Sequence, residues 1–124
     1  MKRLLTTLVI LTGLFAPSLA VSEEGVKFDD LVERGGLYYK PFTDEPFTGK
    51  TEGLKQYTYR RGKKHGPSVW YYENGQLRWK GTYKDGKKEG PWVAYKKDGT
   101  TDFDGKNRYH RGTGTYRNGK KISD

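Results

Sequence analysis

Histidine is the side chain best suited to moving protons near neutral pH, and the sequence has two, His65 and His110. Each sits beside Arg, Lys or Gly, with no nearby partner at the spacing of a zinc site, so both read as solvated turn residues. There is no cysteine nucleophile, and Ser22, Ser68 and Ser123 lie in no nucleophile-elbow pattern. Asp102 and Asp104 stand in DFDGKNRYH, which has too few oxygen ligands for a calcium loop and adds positive charge. Glu73 and Glu89 form no acid/base pair that the sequence brings together. No catalytic, cofactor-binding or metal-ligating set is therefore expected, and the chain is not expected to be an enzyme.

Binding chemistry is better represented. Lys63-Lys64, Lys87-Lys88 and Lys120-Lys121 recur in matching contexts, with Arg60, Arg61, Lys84 and Arg117 close by. If matching segments stack, the six lysines form a stripe along one rim. Such a stripe attracts phosphates or anionic lipid headgroups over about 8 Å in physiological salt. A plainer role is available too: charged hairpin ends keep a sheet soluble and discourage edge pairing. Glu73, Asp85 and Glu89 also interrupt the stripe. Tyr and Trp can stack on sugar rings or grip a peptide. Tyr71, Trp79, Tyr83 and Tyr95 are expected to pack together. Trp70, Tyr72 and Trp92 have the opposite parity or no repeat equivalent, and are the candidates for an exposed surface.

The elements that position these residues come from a repeat. At a shift of 24, Tyr59 falls on Tyr83, Gly62 on Gly86, Lys63-Lys64 on Lys87-Lys88, and Gly66-Pro67 on Gly90-Pro91. Val69, Tyr71 and Gly75 fall likewise on Val93, Tyr95 and Gly99. A third start, YRNGKK at Tyr116, follows an insertion in the 100–115 region. Asn74-Gly75, Asp85-Gly86, Asp98-Gly99 and Asn118-Gly119 predict hairpins with both central residues at positive φ. In QLRWKGTYK, Leu77, Trp79, Gly81 and Tyr83 alternate with Arg78, Lys80, Thr82 and Lys84, the period of a half-buried strand. Val69, Tyr71, Val93 and Tyr95 are assigned to the packed face. Gly66-Pro67 and Gly90-Pro91 are expected to open their strands, where a missing N–H matters least. The result is an all-β antiparallel meander with two strands per repeat.

The motif Y-x-x-G-K-K-x-G-P-x-x-x-Y-x-x-x-G, carried by YRRGKKHGPSVWYYENGQL and YKDGKKEGPWVAYKKDGT, resembles the MORN repeat in its bacterial variant. GLYYKPFTDEPFTGK is similar to the lead-in of secreted bacterial members, and the likeness covers residues 36–124. It implies a single-layer twisted sheet of stacked hairpins, with units near 36–58, 59–82, 83–115 and 116–124. It also implies binding or scaffolding rather than catalysis, toward phospholipids or protein partners. Some relatives carry antitoxin-like labels, so an immunity-type inhibitor is an alternative. Wall-glycan binding through the aromatics is another.

Residues 1–20 read as a cleavable signal helix: Lys2 and Arg3, an apolar run from Leu4 to Phe15, then Ser18 and Ala20 before a cut at Val21. That run is too short to span a bilayer, which takes about 20 residues. Residues 21–35 read as an acidic arm or one helical turn. Cleavage removes two cations and lowers the formal net charge from +9 to +7. A periplasmic or secreted protein is expected, with no integral span, no disulfide framework and no lipid-bearing cysteine. Export also argues against nucleic acid as a partner, despite a pI near 9.6. Beyond residue 20, seventeen aromatics face only ten Val, Leu and Ile residues, which suits a thin sheet held by rings burying about 150–250 Å² each.

Overall fold

The computed structural model describes residues 25–101 and 112–123. The signal segment, His110, Asp102 and Asp104 lie outside the described residues, as does most of the 100–115 insertion. The described chain is built from strands, with a single 3-10 turn at Phe28–Asp30.

Strand β1 (Val26–Lys27) precedes that turn, and β2 (Val32–Arg34) pairs with β3 (Leu37–Tyr39). Then come β4 (Gly49–Glu52), β5 (Lys55–Gln56), β6 (Thr58–Arg60) and β7 (Lys63–Lys64). The chain continues as β8 (Gly66–Tyr71), β9 (Leu77–Lys84), β10 (Lys87–Ala94), β11 (Gly114–Arg117) and β12 (Lys120–Ser123). Their order is β1-β4-β6-β7 in one sheet and β12-β11-β10-β9-β8-β5 in the next. Among the described residues all the pairings are antiparallel except β1 with β4, which straps Val26–Lys27 of the expected arm to the sheet. The closing segment forms a complete hairpin, β11 with β12.

Turn chemistry sets these registers. Asp85-Gly86 and Asn118-Gly119 have both residues at positive φ, as expected, and Arg61-Gly62 makes a third turn of the same kind. Asn74-Gly75 and Asp98-Gly99 differ from expectation, since only their glycines are positive. There, tight turns close through Gly75 N–H to Tyr72 O and Gly99 N–H to Lys96 O. The asparagine and aspartate instead accept from the backbone of Gln76 and Thr100.

Gly-Pro also behaves differently from expectation. Gly66 opens β8, but Gly90-Pro91 lies inside β10. Between the pairs Glu89↔Thr82 and Val93↔Lys80, three residues oppose one. This bulge is where a strand tolerates proline. It adds two residues and so keeps the parity: Lys88 pairs with Tyr83 before it and Ala94 with Trp79 after it. The packed face of β8 and β10 is that of their even positions, since Ser68 pairs with Gly81 and Trp70 with Trp79, while Val69 and Val93 both pair with Lys80. Val69, Tyr71, Val93 and Tyr95 are only half-buried, and the buried residues of β8 and β10 are Ser68 and Trp92. Strand β9 alternates as expected, half-buried at Leu77, Trp79, Gly81 and Tyr83.

The core is a run of rings crossing the strands. Phe47 lies 5.6 Å from Tyr59, Tyr59 6.2 Å from Tyr57, and Tyr57 5.7 Å from Trp79. Trp79 lies 5.1 Å from Trp92, and Trp92 6.4 Å from Tyr116. These tilted and edge-on pairs suit aromatic quadrupoles. Size is matched across neighbouring strands. A Cβ on Gly81 would stand 2.1 Å from the Trp92 ring, so the glycine makes room for the indole. One repeat earlier, Ser68 occupies the position of Trp92 and the large Tyr57 that of Gly81. Burial strips water from the phenols of Tyr57, Tyr59 and Tyr83 and raises their pKa values.

Candidate functional site

Side chains alternate across a strand, so the two lysines of each pair leave on opposite faces. The single six-lysine rim stripe is therefore corrected to two rows. Lys64 and Lys88 lie over the aromatic face. The Lys64 ammonium is 3.9 Å from the Tyr57 centroid and 5.2 Å from that of Tyr83. The Lys88 ammonium is 4.7 Å from Trp92 and 4.9 Å from Tyr116. Desolvation lowers both lysine pKa values, opposed at Lys64 by Glu33. Each such contact contributes about 0.5–2 kcal/mol, so these lysines belong to the packing. Lys121 faces Tyr116 on the edge strand β12 and is exposed.

Lys63, Lys87 and Lys120 stand exposed on the other face. Their cross-strand partners are Arg60, Lys84 and Arg117. Each of the three hairpins thus places two cations opposite one another just before its turn. Asp85 meets Arg60 at 3.2 Å, and Glu89 accepts from Asn118 N–H at 2.9 Å. Among the described residues, Lys63, Lys84, Lys87, Arg117 and Lys120 have no carboxylate partner.

The residue after each of the first two lysine pairs has a role that sequence reasoning missed. His65 Nδ1 accepts from Asp85 N–H at 3.1 Å, as Glu89 does from Asn118. Thr48 Oγ1 accepts from Arg61 N–H at 2.9 Å in the same way. The turn glycines add a second tie: Gly62, Gly86 and Gly119 donate to the carbonyls of Phe47, Lys64 and Lys88. Each turn is thereby fastened to the hairpin before it. His65 is consequently half-buried rather than a solvated turn residue. The available signal was that x in K-K-x-G-P is an acceptor both times.

Trp92 is 2% exposed, which overturns its assignment to an exposed surface. Its indole N–H donates to Thr82 O. Trp70 and Tyr72 do line an open groove of about 940 Å³, with Phe28, Lys55 and Arg78. A register shift between Trp70 and Tyr71 lets Arg78 lie over Trp70 at 4.2 Å and Tyr72 at 5.4 Å. Lys55 lies between Trp70 and Phe28, at 5.2 and 4.9 Å, and pairs with Asp29 at 2.9 Å. Cations and rings thus alternate along the groove. A neutral sugar stacking on Trp70 would have to displace them.

Glu73 lines this groove while Glu89 holds a turn at the other end of the hairpin, so they form no pair. Ser68 is buried, its hydroxyl without a partner, opposite the bulk of Tyr57. Among the described residues, no three His, Asp or Glu side chains converge and no helix is long and apolar enough to cross a membrane. No family model, curated protein or solved structure matches the chain.

Proposed function

We propose that this is a non-enzymatic binding module of the bacterial envelope, exported by residues 1–20, whose repeat sheet engages an anionic surface. The finer fold reading belongs with it: a single-layer meander of stacked hairpins of the bacterial MORN-variant kind. Matching registers at a shift of 24 support that reading. Tyr59↔Lys64 recurs as Tyr83↔Lys88, and Gln56↔Val69 as Lys80↔Val93. The observation that carries the function is the cationic face, six basic side chains against Asp85 and Glu89. The test is co-sedimentation with anionic and with neutral vesicles. Retention by anionic vesicles alone, lost when Lys63, Lys87 and Lys120 become Gln, is the expected result. Indifference to both lipid charge and lysine loss would end the reading.

The groove at Trp70 supports a second reading, a protein partner, of which an immunity-type inhibitor is one version. Affinity purification from the native host with wild type, Trp70→Ala and Arg78→Ala separates the two. A partner held by wild type and lost by both variants supports the groove. Equal recovery from all three removes it.

A further inference from the structure

Like charges placed directly opposite one another in an antiparallel pair destabilise it. Here Arg60↔Lys63, Lys84↔Lys87 and Arg117↔Lys120 do so in three successive hairpins. The adjoining turn residues change freely, from Arg61 to Asp85 to Asn118, while the paired cations do not. The aromatic face, the turn ties and the Gly-Pro bulge hold the sheet without them. Folding therefore gives no reason for the pairs.

Their layout is a single file. Neighbouring strands lie about 4.8 Å apart, so one pair follows another at roughly 10 Å and the row runs about 20 Å. Neutralisation is uneven along it. Asp85 engages Arg60 at one end, while among the described residues the Lys84↔Lys87 and Arg117↔Lys120 pairs meet no carboxylate. Of the large exposed apolar residues, Val32, Phe42, Leu54 and Ile122, only Ile122 belongs to a strand of the row. Among the described residues, the strands of the row thus carry one large exposed apolar side chain, Ile122 on the edge strand β12. Trp79, Tyr83, Trp92 and Tyr116 are committed to the other face, so these four rings offer nucleic-acid bases no stacking platform beside the cations.

We propose that the paired cations form a track for a linear polyanion bearing phosphates along its length, which spans all three hairpins at once. This rests on the reading of an anionic envelope target and names its class. Because the pairs sit in successive hairpins tied to one another through Gly86 N–H to Lys64 O and Gly119 N–H to Lys88 O, a long chain gains by effective concentration over a short one. The experiment titrates the protein with long-chain inorganic polyphosphate, tripolyphosphate, single-stranded DNA and phosphatidylglycerol vesicles. The long chain is expected to bind about tenfold or more tighter per phosphate than tripolyphosphate. Lys84→Ser with Lys87→Ser should weaken the long chain by about tenfold, and Lys84→Arg with Lys87→Arg should restore it. The Ser pair should leave the thermal midpoint unchanged or raised, because a repulsion has gone.

Several results would overturn the track: equal affinity per phosphate for long and short chains, loss of binding in the Arg pair, or a lowered midpoint in the Ser pair with binding intact. Tighter binding of DNA than of polyphosphate would give the face to nucleic acid. Binding of vesicles without polyphosphate, sensitive to the same lysines, would overturn the track and leave the proposed function standing. Binding of neither would remove both.

Discussion

Lys64 and Lys88 lie across aromatic rings with their ammonium groups half-desolvated, while their chain neighbours Lys63 and Lys87 stand in solvent opposite other cations. The same dipeptide thus supplies both faces of the sheet, and the faces obey different physics. On the aromatic face Lys64 and Lys88 lie against rings, and Gly81 is matched in volume to Trp92. On the cationic face repulsion is retained in all three hairpins. A residue repeated for packing and a residue repeated for contact look identical in sequence. Only the pleat separates them.

The difference can be broken most severely from the aromatic side. Trp92→Ala should lower unfolding free energy by about 3–5 kcal/mol, measured by urea denaturation. Gly81→Val should also destabilise strongly, since even its Cβ meets the indole, and Trp92→Ser should recover part of that loss. No recovery would mean that the two positions are not size-coupled. Equivalent losses are not expected at Lys63 or Lys87.

Alkali sharpens the same contrast. The buried phenols of Tyr57, Tyr59 and Tyr83 have pKa values raised above 10.0. The unfolded chain therefore loses those protons first, and stability present below pH 10 declines as pH rises further. Lys64 and Lys88, lowered from 10.5, act with the opposite sign. Their unfolded forms hold protons longer, so their desolvation penalty fades as pH approaches 10.5. Urea midpoints against pH should rise slightly toward pH 10 and fall beyond it. A steady fall from neutral pH would contradict the assignment of those lysines to the aromatic face.

Smaller effects probe the ties between hairpins. Glu89→Ala and Thr48→Val each remove one acceptor from a turn N–H, and each should cost about 1 kcal/mol by thermal denaturation. Arg61, at φ 51°, occupies the left-handed region that asparagine tolerates better. Arg61→Asn should gain a few tenths of a kcal/mol, read as a small rise in midpoint.

Much of this was legible in the sequence. Asp-Gly and Asn-Gly pairs mark turns by their own stereochemistry, and the alternation in QLRWKGTYK fixes β9. Two features were hidden. The sequence shows alternation in β8 and β10 but not its phase: pairing with Gly81 and Trp79 turns Ser68 and Trp70 to the packed face, and Trp92 shares the face of Lys88. The hairpin before Tyr59 repeats at a shift of 17, Thr48 to His65, and so escapes a search at 24. Arg78 reaches Trp70 through a register shift, invisible to periodicity. The opposed faces of Lys-Lys were within reach of the pleat alone.

The central claim is that adjacent lysines do separate jobs, and one paired measurement addresses it. Thermal midpoint and polyphosphate affinity are determined together for Lys63→Gln with Lys87→Gln and for Lys64→Gln with Lys88→Gln. The account predicts that the first pair loses affinity and keeps its midpoint, while the second loses midpoint and keeps its affinity. If the two variants change both quantities alike, the lysines form one functional stripe and the division between the faces is wrong.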